Sequence, residues 1–443
     1  KQPDEAFITR GSTMKLLLLG LGLAAATSIP GYTRTASYDG EMVLTCTLSE
    51  KVGGKAFDKL ADVLSLDVWG SHKEGTLDIR VANSAQAAQV RDHFKGACEV
   101  LIEDVERHVS DIETSWAKDL SLLNATNGGS WFTSYHRYAE TIEWYTQLVA
   151  ANTNIMTWVT IGQSTEGREM NALIISNAGE DAPNIYIQCL IHAREWISGA
   201  TCGYIANQLA VDFASGDERV TNILSSSRIH LVPFANPDGY EYTWTNNRMW
   251  RKSRNSNANS RCVGTDLNRN YDDHWGQGGS SSNPCSDTFR GASPESAIET
   301  QNTANYFRSI APVIGAIDNH AYSQLILRPF GWTRQDPVDE ARLFELGALM
   351  QSAIRDVHGR SYRNIKSIQL YLTTGTTSDW FYGEDATSTN KGFAAAGYTW
   401  ELRPTGARPG FQLPPREILP NSEEVYPAWL AFCESIIENP ITA

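Results

Sequence analysis

Residues 186–196 read YIQCLIHAREW, an apolar run followed by a histidine and a glutamate three positions apart. The first six residues are almost continuously hydrophobic, which is typical of a strand covered on both faces. Three further runs share this character: IHLVPF at 229–234, VIGAI at 313–317 and YTWEL at 398–402. Because helical segments separate these runs, we predict a three-layer α/β/α domain with a mixed, mostly parallel central sheet.

Four groups able to bind a metal or move a proton accompany these strands. The HxxE pair follows the first strand, another histidine follows the third, and a glutamate lies within the last: His192, Glu195, His320 and Glu401. Ligands bind at the carboxyl ends of strands in open α/β sheets, and an i, i+3 pair shares one face if a helix starts there. The HxxE pair alone is weak evidence for a metal site. Glu401 adds to it, because burying a carboxylate in an apolar strand is costly unless the group has a partner. Together the four groups indicate a zinc site.

The region 37–123 has a different pattern. Met42, Leu44 and Cys46 alternate as in a strand, and the apolar residues of 57–64 have helical spacing. The inferred order is strand, helix, strand, strand, helix, strand, followed by a helix at 105–123. This order predicts a small ferredoxin-like α+β domain.

A polar segment, 124–130 (NATNGGS), separates this region from 131–443. We expect the segment to be an exposed linker between two domains. Asn124 in the NAT triplet is a candidate N-glycosylation acceptor, which suits an exposed loop of a secreted protein.

The amino-terminal residues predict secretion. Residues 1–13 begin without methionine and are expected to lie upstream of the true start. Residues 14–30 combine a basic start, an apolar centre and small residues, as in a signal peptide. The apolar run is shorter than a membrane span needs, and no other stretch approaches that length, so we expect no membrane partner. A net charge of −14 without a long basic run argues against nucleic acid as a partner.

Six blocks of the sequence resemble the pancreatic-type carboxypeptidases A and B, in the order and with the approximate spacing of that family. They are CLIHAREWISGATC at 189–202, NPDGYEYTWTNNRMWRK at 236–252, VGTDLNRNYD at 263–272, NHAYSQLILRPFG at 319–331, LYLTTGTTSDW at 370–380 and YTWELRPTG at 398–406. The region 37–123 resembles the family's inhibitory pro-domain. The resemblance implies a zinc metallocarboxypeptidase that removes carboxy-terminal residues from peptides and proteins.

The resemblance implies a role for each matching residue. His192, Glu195 and His320 would bind one zinc ion, and Glu401 would be the general base. Arg251 would stabilise the developing oxyanion, although without its flanking match it reads as part of an exposed basic run.

The resemblance also implies six substrate-binding residues: Arg194, Asn268, Arg269, Tyr322, Tyr371 and Ser378. Asn268 and Arg269 match the clamp for the terminal carboxylate, Arg194 fits a secondary carboxylate contact, and Tyr371 matches a mobile tyrosine that closes over the substrate. Asp266 matches an acceptor for the other ring nitrogen of the first zinc histidine, or else it caps a loop.

The seven cysteines suit an oxidising compartment. Cys262 with Cys285, and Cys189 with Cys202, match two disulfides of the family. Cys46 and Cys98 are candidates for a third bond, and Cys433 is then left over.

Ser378 leaves the specificity open. It occupies the base of the pocket, where A-like enzymes have an apolar residue and B-like enzymes an aspartate. We expect uncharged, apolar or aromatic carboxy-terminal residues. Lys366 also aligns with a pocket position, and if it points inward it would favour acidic residues.

Two rival interpretations concern catalysis. A non-catalytic binding module on this fold would have lost ligands or the base, which this chain keeps. A serine esterase would need a GxSxG motif, which the sequence lacks.

The amino-terminal domain is either a removable inhibitor or a stably attached accessory domain. We expect a monomeric zymogen whose own pro-domain is the inhibitor, activated by a protease that cuts between Lys118 and Ser130.

Overall fold

The computed structural model describes residues 29–48, 55–71, 73, 75–125, 130–383 and 396–441; at 55, 56, 58 and 120–125 it describes the backbone alone. The upstream segment 1–13 and most of the predicted signal peptide lie outside the described residues, as do residues 126–129 of the linker. No described helix combines the length and hydropathy required to cross a membrane.

The described residues of the amino-terminal domain form two helices and four strands. Its elements are β1 (Met42–Thr47), α1 (Lys55–Leu64), β2 (Asp67–Gly70), β3 (Thr76–Val81), α2 (Ser84–His93) and β4 (Cys98–Ile102). The sheet order is β2-β3-β1-β4, and every pair is antiparallel. Asn83 caps α2 by accepting a hydrogen bond from the Gln86 N–H at 3.0 Å.

A long helix, α3 (Val105–Ala125), connects the two domains. It extends beyond the predicted end at residue 123, so the predicted linker begins inside the helix. Asn124 therefore lies in the last helical turn and not in a loop. Lys118, at the start of the predicted cleavage region, lies in the same helix.

The second domain contains eight strands and eight α-helices among the described residues. The strands are β5 (Met156–Gln163), β6 (Glu169–Ile175), β7 (Asn184–Cys189), β8 (Arg228–Val232), β9 (Val313–Ala321), β10 (Leu325–Arg328), β11 (Arg363–Lys366) and β12 (Ala396–Leu402). The helices are α4 (Tyr138–Ala151), α5 (Trp196–Ser215), α6 (Glu218–Ser226), α7 (Pro237–Thr245), α8 (Ile298–Ser309), α9 (Glu340–His358), α10 (Thr377–Tyr382) and α11 (Ile418–Glu438).

The eight strands form one mixed sheet in the order β11-β10-β12-β9-β7-β8-β6-β5. Strands β12, β9, β7 and β8 form a continuous parallel centre, flanked by antiparallel pairs. Ile185 and Ile187 on one face of β7 pack with α5 and α11, whereas Tyr186 packs on the opposite face with Phe307 and Phe381 from α8 and α10. Both faces are covered, which confirms the predicted three-layer α/β/α class and explains the uninterrupted apolar runs.

Three disulfides are present: Cys46–Cys98, Cys189–Cys202 and Cys262–Cys285. The first joins directly opposite residues of β1 and β4, and the second ties the end of β7 to α5. Cys433 is a buried free thiol in α11.

Candidate active site

His192 and Glu195 lie in a tight turn and not on a helix, so the prediction of a shared helical face was wrong. Strand β7 ends at Cys189, and Leu190 turns the chain with a φ of 56°. The Glu195 N–H donates to the His192 carbonyl at 3.3 Å, and α5 begins only at Trp196. The turn still aims both side chains at one point.

His320 lies inside β9, whereas the sequence placed it after the strand. The last apolar run ends at Ile317, but β9 continues through polar residues to Ala321. Its parallel neighbour β12 places Glu401 directly opposite His320 in register. Adjacent strands therefore bring the second histidine and this glutamate together.

The three predicted ligands converge on one point. His192 Nδ1 lies 2.9 Å from Glu195 Oε1, and His320 Nδ1 lies 3.1 Å from Glu195 Oε2. The two Nδ1 atoms are 3.0 Å apart. All three side chains are buried, and one ligand atom from each lies within 4.8 Å of the others. This donor set, two imidazoles and one carboxylate, fits Zn²⁺.

Two aspartates hold the far sides of the histidine rings. Asp266 Oδ1 lies 3.2 Å from His192 Nε2, and Asp318 Oδ2 lies 2.9 Å from His320 Nε2. Such contacts fix the ring so that its other nitrogen faces the metal. Burial opposes ionisation of Asp266, but Arg251 outweighs it and holds the pKa of that carboxyl well below its usual range.

The sequence analysis missed Asp318. It lies two positions before His320 in β9, so both side chains are on the same face of the strand. A buried aspartate two residues before a histidine in an apolar strand was the signal that could have revealed it.

Arg251 faces the ligand cluster. Its Nη1 lies 3.2 Å from His192 Nδ1, while Nε and Nη2 donate to Asp266 Oδ2 at 3.1 and 2.8 Å. The guanidinium is therefore held in a fixed position, which excludes the solvated basic run considered from the sequence.

Asn268 and Arg269 lie on the opposite side of the cluster. Asn268 Nδ2 is 3.4 Å from His320 Nε2, and its Oδ1 accepts the Thr377 N–H at 2.9 Å. Arg269 Nε donates to the Gly279 carbonyl at 3.1 Å, and its guanidinium lies 6.0 Å from the centre of the Tyr371 ring.

Glu401 lines the same cleft and is half-buried. Burial raises the pKa of its carboxyl to about 8, although the nearby His320 partly offsets the rise. A carboxyl with a raised pKa can release a proton as well as take one near neutral pH.

The specificity wall of the cleft carries no charged side chain among the described residues. Its lining residues are Leu327, Ser367, Leu370, Thr373, Ser378 and Thr399. Lys366 does not point inward: its Nζ donates to Asp336 Oδ1 at 2.5 Å on the outside. The alternative of a pocket for acidic residues built on Lys366 was therefore wrong.

The amino-terminal domain contributes residues to the lining of this cleft. Val68, Trp69 and Gly70 of β2 line it, together with Tyr322 and Tyr371 from the second domain. A side chain at position 70 would meet Ser323 Oγ at 3.2 Å, which shows how closely β2 approaches.

Arg194 binds a carboxylate of the amino-terminal domain. It is fully buried and donates from Nη1 and Nη2 to both carboxylate oxygens of Asp67, each at 2.9 Å. Its guanidinium also lies 4.1 Å from the centre of the Phe411 ring. Both carboxylate oxygens of Asp67 are thus engaged by Arg194.

Comparison with known proteins identifies the family. A model of the zinc carboxypeptidase family matches residues 141–428. The chain belongs to the zinc carboxypeptidase family. It is therefore a hydrolase of peptide bonds with zinc as its cofactor, and the cluster of His192, Glu195 and His320 matches the family's zinc site.

Similar proteins cover both domains. Carboxypeptidase A1 of Rattus norvegicus is 32% identical over 433 residues, 96% of this chain and 99% of the relative. Carboxypeptidase A2 of the same species is 36% identical and covers 85% of this chain and 88% of the relative. The crystal structure of carboxypeptidase A from Helicoverpa armigera aligns with a TM-score of 0.79 at 25% identity, over 91% of this chain and 98% of that one.

Proposed function

We propose that this chain is the latent form of a secreted carboxypeptidase that removes uncharged, apolar or aromatic residues from the carboxyl ends of peptides and proteins. One observation supports this most strongly. Glu401 lies in register beside His320, in the cleft that also contains Arg251 and Arg269. A base, a zinc site and two cations for carboxylate and oxyanion thus share one cavity.

The chemistry assigned to these residues is hydrolysis of the terminal peptide bond. When bound by His192, Glu195 and His320, zinc supplies Lewis acidity toward a carbonyl oxygen and toward water. Glu401 takes a proton from the attacking water and then passes it to the leaving amine. Arg251 stabilises the negative charge that develops on the carbonyl oxygen, because its guanidinium is already held by Asp266.

An exopeptidase must also recognise a free carboxylate. Asn268 and Arg269 lie beside the zinc ligands and can hold that group, since the planar guanidinium binds carboxylates in a bidentate manner. Tyr371 borders Arg269, where it can close over the bound terminus. Tyr322 lines the cleft on the side of β2 and is assigned to the remainder of the peptide.

Latency is assigned to the amino-terminal domain. Its strand β2 covers the cleft, and the Asp67 carboxylate binds Arg194 in the way that a carboxylate of the substrate would. Trp116 of α3 is buried beside Trp196, with ring centres 5.7 Å apart, so the connecting helix is anchored as well. Removal of this domain by an activating protease would open the cleft and free Arg194. We expect the cut near the carboxyl end of α3, between Lys118 and Ser130.

Limited proteolysis tests the proposal. The full chain is treated with trypsin, and matched peptides ending in Phe, Lys and Glu are assayed before and after treatment, with and without a zinc chelator. We expect little activity before the cut, release of Phe after it, and loss of that activity with the chelator.

Different failures have different meanings. Full activity of the uncut chain would contradict latency and support an accessory domain. A dominant rate on Lys would contradict the assigned specificity. An inert cut protein would support the non-catalytic interpretation.

A further inference from the structure

Three hydroxyl groups in the specificity wall have no hydrogen-bond partner among the described residues. Ser378, Thr373 and Thr399 line the cleft and are only 2%, 8% and 6% exposed. In the part of the chain that the structure describes, none of these three side-chain oxygens has a hydrogen bond. Ser367 in the same wall differs, because its Oγ donates to the Arg328 carbonyl at 3.1 Å.

The backbone places two of these hydroxyls against the catalytic strand. Thr399 lies two positions before Glu401 on β12, so both side chains are on the same face, and it pairs in register with Leu327 of β10. Ser378 lies in the first turn of α10. A side chain at Gly397 would come within 2.5 Å of the Ser378 carbonyl, so the glycine allows α10 to approach β12 closely.

The position of the Thr373 hydroxyl depends on a second glycine. A side chain at Gly331 would come within 2.1 Å of Thr373 Oγ1. Glycine at this position therefore leaves room for the Thr373 hydroxyl.

Among the described residues, this wall offers no counter-charge to a charged side chain of the substrate. Asp379 follows Ser378 in sequence, but its Oδ2 accepts the Gly331 N–H at 2.8 Å and the residue does not line the cleft. Lys366 is paired with Asp336 outside. A charged carboxy-terminal side chain would therefore lose its hydration without gaining an ionic partner.

We infer that this wall selects, among uncharged carboxy-terminal residues, those whose side chain ends in a hydrogen-bonding group: tyrosine over phenylalanine, and glutamine over methionine. This inference rests on the proposed function and refines its substrate class. An apolar side chain would displace water from the three hydroxyls and leave them unpaired, whereas a polar end replaces that water.

Paired peptides test the inference without any variant. The full chain, cut with trypsin and supplied with zinc, is assayed on peptides that differ only in the last residue: Tyr against Phe, and Gln against Met. We expect kcat/KM to be about five- to tenfold higher for the polar member of each pair, because one hydrogen bond contributes about 1 kcal/mol.

Variants assign the effect to the wall. Ser378→Ala combined with Thr399→Val removes two hydroxyls and keeps similar shapes, and should lower the Tyr-to-Phe ratio to about two or less. Ser367→Ala is the matched control, because that hydroxyl already donates to the backbone, and its ratio should stay near that of the wild type.

The outcomes separate the inference from the proposed function. Cleavage of both peptides with a ratio of one or below overturns the inference and leaves the carboxypeptidase activity standing. An unchanged ratio in the double variant also overturns it. No cleavage of any peptide overturns the proposed function and this inference with it.

Discussion

The zinc-ligand cluster and the specificity wall occupy the same cleft but differ in how their polar groups are satisfied. In the cluster, His192 and His320 each contact Glu195 on one side and an aspartate on the other. In the wall, the Ser378 hydroxyl has no partner among the described residues. A fully connected polar network fixes one geometry, whereas hydroxyl groups without a partner remain available to form hydrogen bonds with the substrate. Metal and base thus follow from the fold, while substrate choice depends on few side chains.

The largest effect is expected at Glu401, on the catalytic side of this contrast. Glu401→Gln keeps the shape but cannot accept the proton of water, so kcat should fall by about 10²- to 10⁴-fold. Zinc content should stay at the wild-type level, because Glu401 is not one of the converging ligands. Steady-state kinetics and metal analysis of the trypsin-cut protein check both. Glu438→Gln, at an exposed position, is the control, and equal losses in both variants would refute the role.

The next effect concerns the domain that covers both regions. Asp67→Asn leaves Arg194 buried without its counter-charge, which costs about 3 kcal/mol. This cost lowers the equilibrium constant for the closed position of the amino-terminal domain roughly a hundredfold. The uncut variant should therefore show measurable peptidase activity. Asp92→Asn, on the exposed surface of α2, is the matched control. If the uncut variant were as inactive as the uncut wild type, the role of the Asp67–Arg194 pair in latency would be contradicted.

The same ion pair predicts a pH dependence. Burial opposes ionisation of Asp67, but Arg194 and Arg80 outweigh it and lower the pKa to about 2. Because the unbound carboxyl titrates near ~4, the pair stabilises the closed state fully above that pH and loses its contribution as pH falls toward 2. Glu41 and Asp287 face the same cluster, and burial raises the pKa of each.

Hydrogen–deuterium exchange of strand β2 in the uncut chain between pH 7 and pH 2 checks this dependence. The protection of β2 should fall as the pH drops from ~4 toward ~2. In uncut Asp67→Asn, the protection of β2 over this window should depend less on pH, and an identical profile would contradict the assignment.

A smaller effect is expected in the wall itself. Ser378→Asp places a carboxylate at the base of the pocket, so the ratio of kcat/KM for Lys over Phe peptides should rise about tenfold to a hundredfold. Ser378→Asn is the isosteric control without charge. If the two variants gave the same ratio, Ser378 would not contact the side chain of the terminal residue.

The smallest effect is expected at Lys366. Lys366→Ala removes the contacts of Nζ with Asp336 and with the Arg334 carbonyl, and none of these residues lines the cleft. The ratio of Glu to Phe release should therefore stay within about twofold of the wild type. A large drop in the relative rate on Glu would show that Lys366 reaches the pocket.

The three layers of the fold could be predicted from the sequence because β7, β9 and β12 are almost entirely apolar. Such a composition is typical of strands that are covered on both faces. The positions of His192, His320 and Glu401 at strand ends also predicted that these residues lie at one edge of the sheet. Prediction from the sequence failed on local geometry. The left-handed Leu190 turn and the polar end of β9 depend on tertiary contacts, and neither has a periodic signal.

Long-range pairs were equally invisible from the sequence. The contact of Asp67 with Arg194 joins residues 127 positions apart. The direction of Lys366 depends on its pairing with Asp336. Propensity and spacing report neighbours along the chain, whereas these contacts are set by how the two domains and their loops pack.

Metal titration of the cut protein tests the central claim most directly, namely that His192, Glu195 and His320 form a single catalytic zinc site. Zinc is removed with a chelator and added back while bound metal and release of Phe are measured together. We expect activity to rise in proportion to zinc and to level off at one ion per chain, and we expect His320→Ala to bind far less. Full activity in the metal-free protein, or one tightly bound zinc in His320→Ala, would contradict the assignment.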